Sequence, residues 1–396
     1  MKIGIVSPFM PHALRDLMDT DSQKLLPGIR GITANPVMPL ARAWHQRGHD
    51  ISVFCLDQSV ATTQILRGER LVIYVLPKRR SRYYLLDFYR EETRLLRESI
   101  LREKPDVLSA QWSYEHAWGA LQTGIPATVT CHDTPFRYAW IAKDWFTTYH
   151  LFMAWRVIRK AKRLICVSPY TAMHIRKYFF PRCPVDMIPN GLSSKLFERG
   201  ERRMANPRNR AGEPFVFCSA GGWGPIKNVS TLLKAFTRVR RTAPDAQLAL
   251  FGGQLGAGQL AEKWALRYQL HEGVSFMGGV STDSLTDFFE TKADLMVHPS
   301  VIETFGMAIV EAIACGIPVI GGEKSGAVPW TLDYGACGYL CDVRDEHALA
   351  ETMLKAMREP DQNRSLAGRA WKSAKDRFDI EKIATANEDI LKQLLR

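Results

Sequence analysis

His298-Pro-Ser-Val-Ile-Glu-Thr-Phe-Gly-Met-Ala-Ile-Val-Glu-Ala-Ile-Ala-Cys-Gly-Ile-Pro-Val-Ile-Gly321 holds a whole strand–helix–strand unit. An apolar run ends near His298, and a turn carrying Glu303 follows it. A helix is predicted from about Gly306 to Cys315, and Gly316 supplies the left-handed stop that helix ends favour. Residues 318–321 then read as the next strand. Both strands are continuously apolar, the pattern of parallel strands covered on each face.

The same alternation extends in both directions. Strands are predicted at 2–7, 50–56, 72–76, 107–110, 127–131, 163–167 and 185–188, and again at 215–220, 247–251, 274–277, 295–298 and 318–321. Helical stretches between them make βαβ units, hence doubly wound parallel sheets. One helix is legible at 38–47, with Leu40, Ala43 and Trp44 on one face and Gly48 as its stop. The series breaks at 190–213, a polar stretch rich in turn residues that reads as a linker. The expected layout is α/β, with one Rossmann-like domain at 1–189 and a second at 214–375. Two such sheets bind ligands at the carboxyl ends of their strands, so each domain is expected to offer a lip to a shared cleft.

Composition agrees with globular domains: of 396 residues, 46% are hydrophobic and 24% charged. Without a run of eighteen uncharged apolar residues, no membrane span is expected. The apolar part of Met1-Lys-Ile-Gly-Ile-Val-Ser-Pro-Phe is too short for a signal peptide and reads as the first strand. The eight cysteines form no C-x-x-C pair, and they read as buried thiols of a cytosolic protein. Net charge is +12 and unevenly spread: residues 1–190 carry 27 Lys/Arg against 16 Asp/Glu, the remainder 26 against 25. Such a basic half implies an anionic partner, or simply a solvated basic surface.

Four segments carry residue types suited to chemistry. In the first, Glu303 lies in a loop before a helix, and Glu311 lies within an otherwise apolar helix, where a carboxylate needs a hydrogen-bonding partner such as a ribose diol. Backbone N–H groups from Phe305 through Gly306 to Met307 start that helix and can hold phosphate or sugar oxygens. The second is Gly221-Gly-Trp-Gly-Pro-Ile-Lys-Asn228, a glycine-rich strand-to-helix turn in which Lys227 adds a full positive charge. The third is Val129-Thr-Cys-His-Asp-Thr-Pro135, which places His132 at the carboxyl end of a strand. The fourth is Pro27-Gly-Ile-Arg-Gly-Ile-Thr-Ala-Asn35, with Gly28 and Gly31 in the loop after the first strand. A nucleobase is expected against backbone groups near Gly278. Each has a plain alternative: a paired helix Glu, a solvated Lys, a satisfied His, an ordinary turn. Asp19-Thr-Asp21 is nominally a metal-binding D-x-D, but it follows no strand, so no metal is expected there.

Glu303-x7-Glu311 with Ala-x-Ala-Cys-Gly-Ile-Pro-Val-Ile after it resembles the E-x7-E signature of glycosyltransferase family 4, which has the GT-B fold. Leu40-Ala-Arg-Ala-Trp-His-Gln-Arg-Gly-His-Asp-Ile51, Val167-Ser-Pro-Tyr-Thr171 and Ile188-Pro-Asn-Gly-Leu192 resemble further landmarks of that family, so the likeness covers nearly the whole chain. It implies a retaining glycosyltransferase using a nucleotide-sugar donor, UDP ahead of GDP, without metal or other cofactor. It further implies that Glu303 contacts donor-sugar hydroxyls, Glu311 the ribose, Lys227 the diphosphate and His132 the sugar. It also implies that a helix in 376–396 crosses back to the first domain. Gly222 departs from the family pattern, which has an Arg there; either another base, Arg30 or Lys324, supplies that charge, or turnover is weaker. Ile32 stands where the family places a second adjacent glycine.

Residues 78–104 are rich in Arg, and residues 136–163 interleave Phe136, Tyr138, Trp140, Trp145, Phe146, Tyr149, Phe152 and Trp155 with Lys and Arg. Interfacial segments combine such residues, so peripheral attachment to an anionic inner membrane face is expected, with a lipid-linked or cell-envelope acceptor of polysaccharide biosynthesis. Core packing of the aromatics is the alternative. Nucleic acid is not expected, since no recognised binding module occurs. Two competing readings are a nucleotide-sugar epimerase of the same architecture and a non-catalytic nucleotide-sugar-binding scaffold.

Overall fold

The computed structural model describes residues 1–32, 34–80, 84, 86–206 and 212–396. They form two compact units, Met1–Gly191 with Ile380–Arg396, and Leu192–Asp379. The first contains an eight-stranded sheet ordered β3-β4-β2-β1-β5-β6-β7-β8. Its strands are β1 (Lys2–Val6), β2 (Asp50–Asp57), β3 (Gln64–Gly68), β4 (Leu71–Pro77), β5 (Val107–Gln111), β6 (Ala127–Cys131), β7 (Leu164–Cys166) and β8 (Val185–Met187). All pairings are parallel except that of β3 with β4. The second contains six parallel strands ordered β11-β10-β9-β12-β13-β14. These are β9 (Val216–Gly222), β10 (Gln247–Gly253), β11 (Val274–Gly278), β12 (Leu295–His298), β13 (Val319–Gly322) and β14 (Tyr339–Cys341).

Alternation along β2 shows why the apolar runs are continuous. Phe54 and Leu56 enter one core cluster, while Ile51, Val53 and Cys55 enter another. Both faces of the sheet are covered, so no position along the strand can be polar without a partner. Two strands have no counterpart among the predicted ones. β3 is a short antiparallel edge strand in which only Leu66 is buried, and β14 is a three-residue edge strand. Neither carries the long apolar run by which the buried strands are recognised.

The segment expected as a linker, 190–213, is different in kind. The chain passes between units at Gly191 and Leu192, and Ser194–Ala205 is a helix of the second unit. Its Arg199 reaches Glu290 at 2.7 Å and its Arg203 donates to the Phe289 and Ala293 carbonyls. Long-range partners make it an element, although its sequence is polar. Residues 207–211 of the same segment lie outside the described residues. At the other end, the helix Ile380–Leu394 belongs to the first unit. Ile380, Ala384 and Leu391 join its core, and the Trp44 indole N–H donates to the Ala384 carbonyl at 3.2 Å. Arg47 binds Glu381 at 3.0 Å beside it. All eight cysteines are free thiols, seven of them buried.

Gly200 shows how closely the Ser194–Ala205 helix is seated. A Cβ there would run into the Ala314 carbonyl oxygen and the Trp371 indole, whose N–H donates to the Phe197 carbonyl. Gly200→Ala is therefore expected to lower stability by about 1–3 kcal/mol, read as the shift in urea midpoint. A midpoint equal to the wild type would show that this helix is not held against its neighbours.

Candidate functional site

The carboxyl ends of β9, β12 and β13 bring three turns of the second unit together. Lys227, from the turn after β9, places Nζ 2.6 Å from Glu303 Oε1. His298, the last residue of β12, places Nε2 3.0 Å from the same oxygen. A carboxylate can only accept, so His298 Nε2 carries the proton in this bond. Burial pushes the Glu303 carboxyl up, but the bond from His298 and the charge of Lys227 outweigh burial and hold it far below the usual carboxylate range. Glu303 is therefore an ionised, buried carboxylate, and Lys227 is the partly exposed cation beside it, its side chain 37% accessible.

Asn228 fastens these turns. It adopts left-handed backbone (φ 54°), and its amide donates to the Pro299 carbonyl at 3.2 Å and the Val343 carbonyl at 2.8 Å. Val301 N–H donates to the Ile226 carbonyl at 2.9 Å, a second tie between the β9 and β12 turns. The Glu303 turn is bound on its other side, where its N–H donates to Ser325 and its carbonyl accepts from Ala327 N–H at 2.9 Å.

The remaining residues singled out in this unit surround the same strand ends. Gly306 caps the helix Met307–Ala314 with φ 86°, which favours glycine. Phe305 is buried, and its carbonyl accepts from the Thr331 hydroxyl at 2.9 Å. Met307 opens the helix and Glu311 is buried within it. Gly222 is still in β9, opposite Gly253, and Gly221 lies opposite Gly252. Gly252 has φ 126° and a Cβ there would overlap the Gly221 carbonyl. The two strand ends thus present bare backbone side by side. Gly252 and Gly253 escaped the sequence reading, although a Gly pair after an apolar run is a visible signal. Gly278 ends β11 with φ 71° against Gly256. Lys324 lies in the turn after β13 and pairs with Glu323 at 2.9 Å.

In the first unit, His132 follows β6 and is buried. Its Nε2 lies 2.8 Å from Gln111 Oε1, and the Trp112 ring lies 4.3 Å from its ring, centre to centre. Burial pushes the His132 imidazole down to about 3. The neighbouring Asp133 is half-buried; desolvation pushes it up to about 7 although Tyr114 donates to it at 3.1 Å. Gly31 has φ 70°, and its N–H donates to Asp57, while Gly28 ends a short 3-10 turn. Arg30 is exposed in that loop, and its N–H donates to the Ser59 hydroxyl. Thr33, in the same segment, lies outside the described residues. Asp19 caps the helix Thr20–Leu25 and Asp21 pairs with Lys24, so both members of the nominal D-x-D have structural partners.

The aromatic-basic segment divides between core and surface. Phe136 stacks on Tyr178 and Tyr149 on Phe88. Trp140, Trp145, Phe146, Phe152 and Trp155 are exposed, Trp145 at 87%. Arg156 lies over Trp118 and Arg159 over Trp155. Ser81, Arg82, Tyr83 and Leu85 of the 78–104 run lie outside the described residues. No helix among the described residues is long and apolar enough to cross a membrane.

The family model "Glycosyltransferase Family 4" matches residues 36–195, and "Glycosyl transferases group 1" matches residues 201–373. The chain is 31% identical over 219 residues to N-acetyl-alpha-D-glucosaminyl L-malate synthase of Bacillus anthracis, covering 54% of this chain and 55% of that protein. It is 30% identical over 224 residues to a GDP-mannose-dependent phosphatidylinositol monomannoside mannosyltransferase of Mycobacterium tuberculosis, covering 54% and 57%. The chain thus spans a little over half the length of the curated relatives it matches. Its fold is similar to that of sucrose-phosphate synthase of Thermosynechococcus elongatus (TM-score 0.78, 19% identity, 100% and 99% covered). It is also similar to Anabaena HepE in complex with UDP-glucose (TM-score 0.70, 17% identity, 99% and 100% covered).

Buried titratable groups make stability depend on pH. His132, and His116 at about 4, lie well below the ordinary 6.5 because burial penalises their charged forms. Their contribution is complete above 6.5 and is lost as pH falls toward the folded values. Asp133 acts oppositely: raised from 3.8 to about 7, it favours the fold at low pH and loses that contribution as pH rises through 7. Two histidines oppose one aspartate between pH 6.5 and 4.5, so the thermal midpoint is expected to fall across that interval. A midpoint that rises or stays level there would contradict the burial of these imidazoles in neutral form.

Proposed function

Because the chain belongs to glycosyltransferase family 4, with the GT-B fold, we propose that it transfers a hexose-type sugar from a nucleotide-diphosphate sugar to an acceptor hydroxyl, with retention of configuration. The observation that carries this reading is the ionised Glu303 held by Lys227 and His298 at a strand end beside a helix start. Lys227 neutralises the departing diphosphate, aided by N–H groups that begin the helices Val229–Thr242 and Met307–Ala314. The bare backbone at Gly221, Gly222, Gly252 and Gly253 lets phosphate approach without a side chain in the way. Glu303 accepts from donor-sugar hydroxyls, and Glu311 accepts from the ribose. Gly278 marks where the nucleobase meets backbone. His132 meets the sugar, and Gly28 and Gly31 belong to the donor-binding set, in the loop assigned to phosphate and acceptor. The reaction needs no metal in this proposal, since Lys227 supplies the positive charge. Anabaena HepE has a structure with UDP-glucose, which supports a UDP donor, while the mycobacterial mannosyltransferase is described as GDP-mannose-dependent.

We assign the acceptor to lipid-linked or cell-envelope glycans. The support is the exposed Trp140, Trp145, Phe146, Phe152 and Trp155 beside Arg156, Arg159 and Lys160, with the excess of basic residues in the first 190. Tryptophan and arginine suit the headgroup layer of an anionic membrane. Binding there is peripheral, from the inner face.

Thermal stability in the presence of UDP, GDP, ADP and their sugars tests the donor. A ligand at 100 times its dissociation constant is expected to stabilise by about 2.7 kcal/mol, and one nucleotide series is expected to stand out. Lys227→Ala is expected to remove that shift, read against the variant's own unliganded midpoint, which is itself expected to fall because Glu303 is left with His298 alone. No shift with any nucleotide would remove the donor site. Co-sedimentation with anionic vesicles at low salt tests the membrane: binding is expected to be lost in Trp140→Ala/Trp145→Ala, and no binding by the wild type would sink the membrane assignment.

A further inference from the structure

The His132 ring is restrained by polar and aromatic neighbours. Ser109 and Gln111 are two apart on β5 and so point to the same face. The Gln111 amide nitrogen donates to Ser109 Oγ at 2.8 Å. With the amide in this orientation, Oε1 faces His132 Nε2 at 2.8 Å. All three residues are buried. A second restraint acts on the ring plane. Trp112 has φ 61°, a conformation that bulky residues rarely take, and its indole lies 35° from the plane of the imidazole, their centres 4.3 Å apart. Among the described residues nothing bonds to His132 Nδ1.

We propose that Gln111 is a positioning residue that fixes His132 as the Nε2–H tautomer, leaving Nδ1 as an acceptor for a substrate hydroxyl. The inference rests on the transferase reading for what the hydroxyl belongs to, and on geometry alone for the tautomer. His132 then accepts from the sugar or acceptor; it does not donate. Were the amide turned the other way, its NH2 would face the ring and Nδ1 would carry the proton, the opposite assignment.

Nitrogen shifts of 15N-histidine-labelled full-length protein distinguish the two, with His132→Gln identifying the resonances. The expected result is protonated Nε2 and bare Nδ1 from pH 5 to 8. Gln111→Met keeps the bulk and loses the acceptor, so the two tautomers are expected to mix. Turnover is expected to fall roughly tenfold or more, as for misplacement of a reacting group, with the UDP-induced thermal shift retained. Gln111→Glu sets a carboxylate on the same N–H and is expected to raise the His132 titration by about 1–3 pH units. Turnover should then gain an acid limb at the pH where Nδ1 becomes protonated. Asp133, at about 7, titrates nearby, so the imidazole is followed on its own nitrogens. A protonated Nδ1 in the wild type, or an unchanged tautomer in Gln111→Met, overturns the proposal. Expected spectra with no sugar transfer from any donor would instead remove the transferase reading and leave the clamp in place.

Discussion

Keeping a buried carboxylate charged is the constraint around which the second unit's strand ends are arranged. A lone carboxylate at the depth of Glu303 would take up a proton, since burial favours the neutral form. Lys227 and His298 prevent this from two directions, one from another turn and one from the strand that precedes Glu303. For both to reach it, the turns after β9 and β12 must hold register. Asn228 secures that register by donating to Pro299 and Val343, and left-handed backbone is what aims its amide there. An asparagine tolerates that conformation better than most residues. Charge, turn and backbone are therefore one arrangement.

Around His132 the first unit uses neutral groups, where the second unit uses ionised ones around Glu303. His132 is deep, pushed down by burial, and its ring partner is an amide. An amide satisfies the ring N–H without stabilising an imidazolium, which a carboxylate would do. Both arrangements occur at carboxyl ends of parallel strands, where this class of sheet binds ligands. On the proposed function, Lys227 would meet the charge of a phosphate and His132 a sugar hydroxyl.

Edge elements and polar elements were the parts of the fold hidden from the sequence. Buried parallel strands such as β2 are apolar wherever a side chain has no polar partner, so their long apolar runs announce them. β3 and β14 lie at edges, one face or one end open, and their short runs look like loops. The helix Ser194–Ala205 hides for a different reason. Its hold on the second unit comes from Arg199, Arg203 and the gap left by Gly200, none of which reads as an apolar stripe.

At the site, residue type in three separate segments, together with the family resemblance, picked out Glu303 and Glu311, Lys227, and His132 as the groups worth placing. That much the chain determines locally, since a turn after an apolar strand puts its residues at the strand's carboxyl end. Partnership was decided only by tertiary structure. Lys227 and Glu303 lie 76 residues apart, and His132 and Gln111 lie 21 apart. The role of Asn228 as a tie, of His298 as a donor and of Gln111 as a clamp depends on which strands become neighbours and in what register. A hydrogen bond acts over about 3 Å and is blind to sequence separation. Local pattern fixes which groups stand at the strand ends, and only the folded sheet order fixes which of them meet.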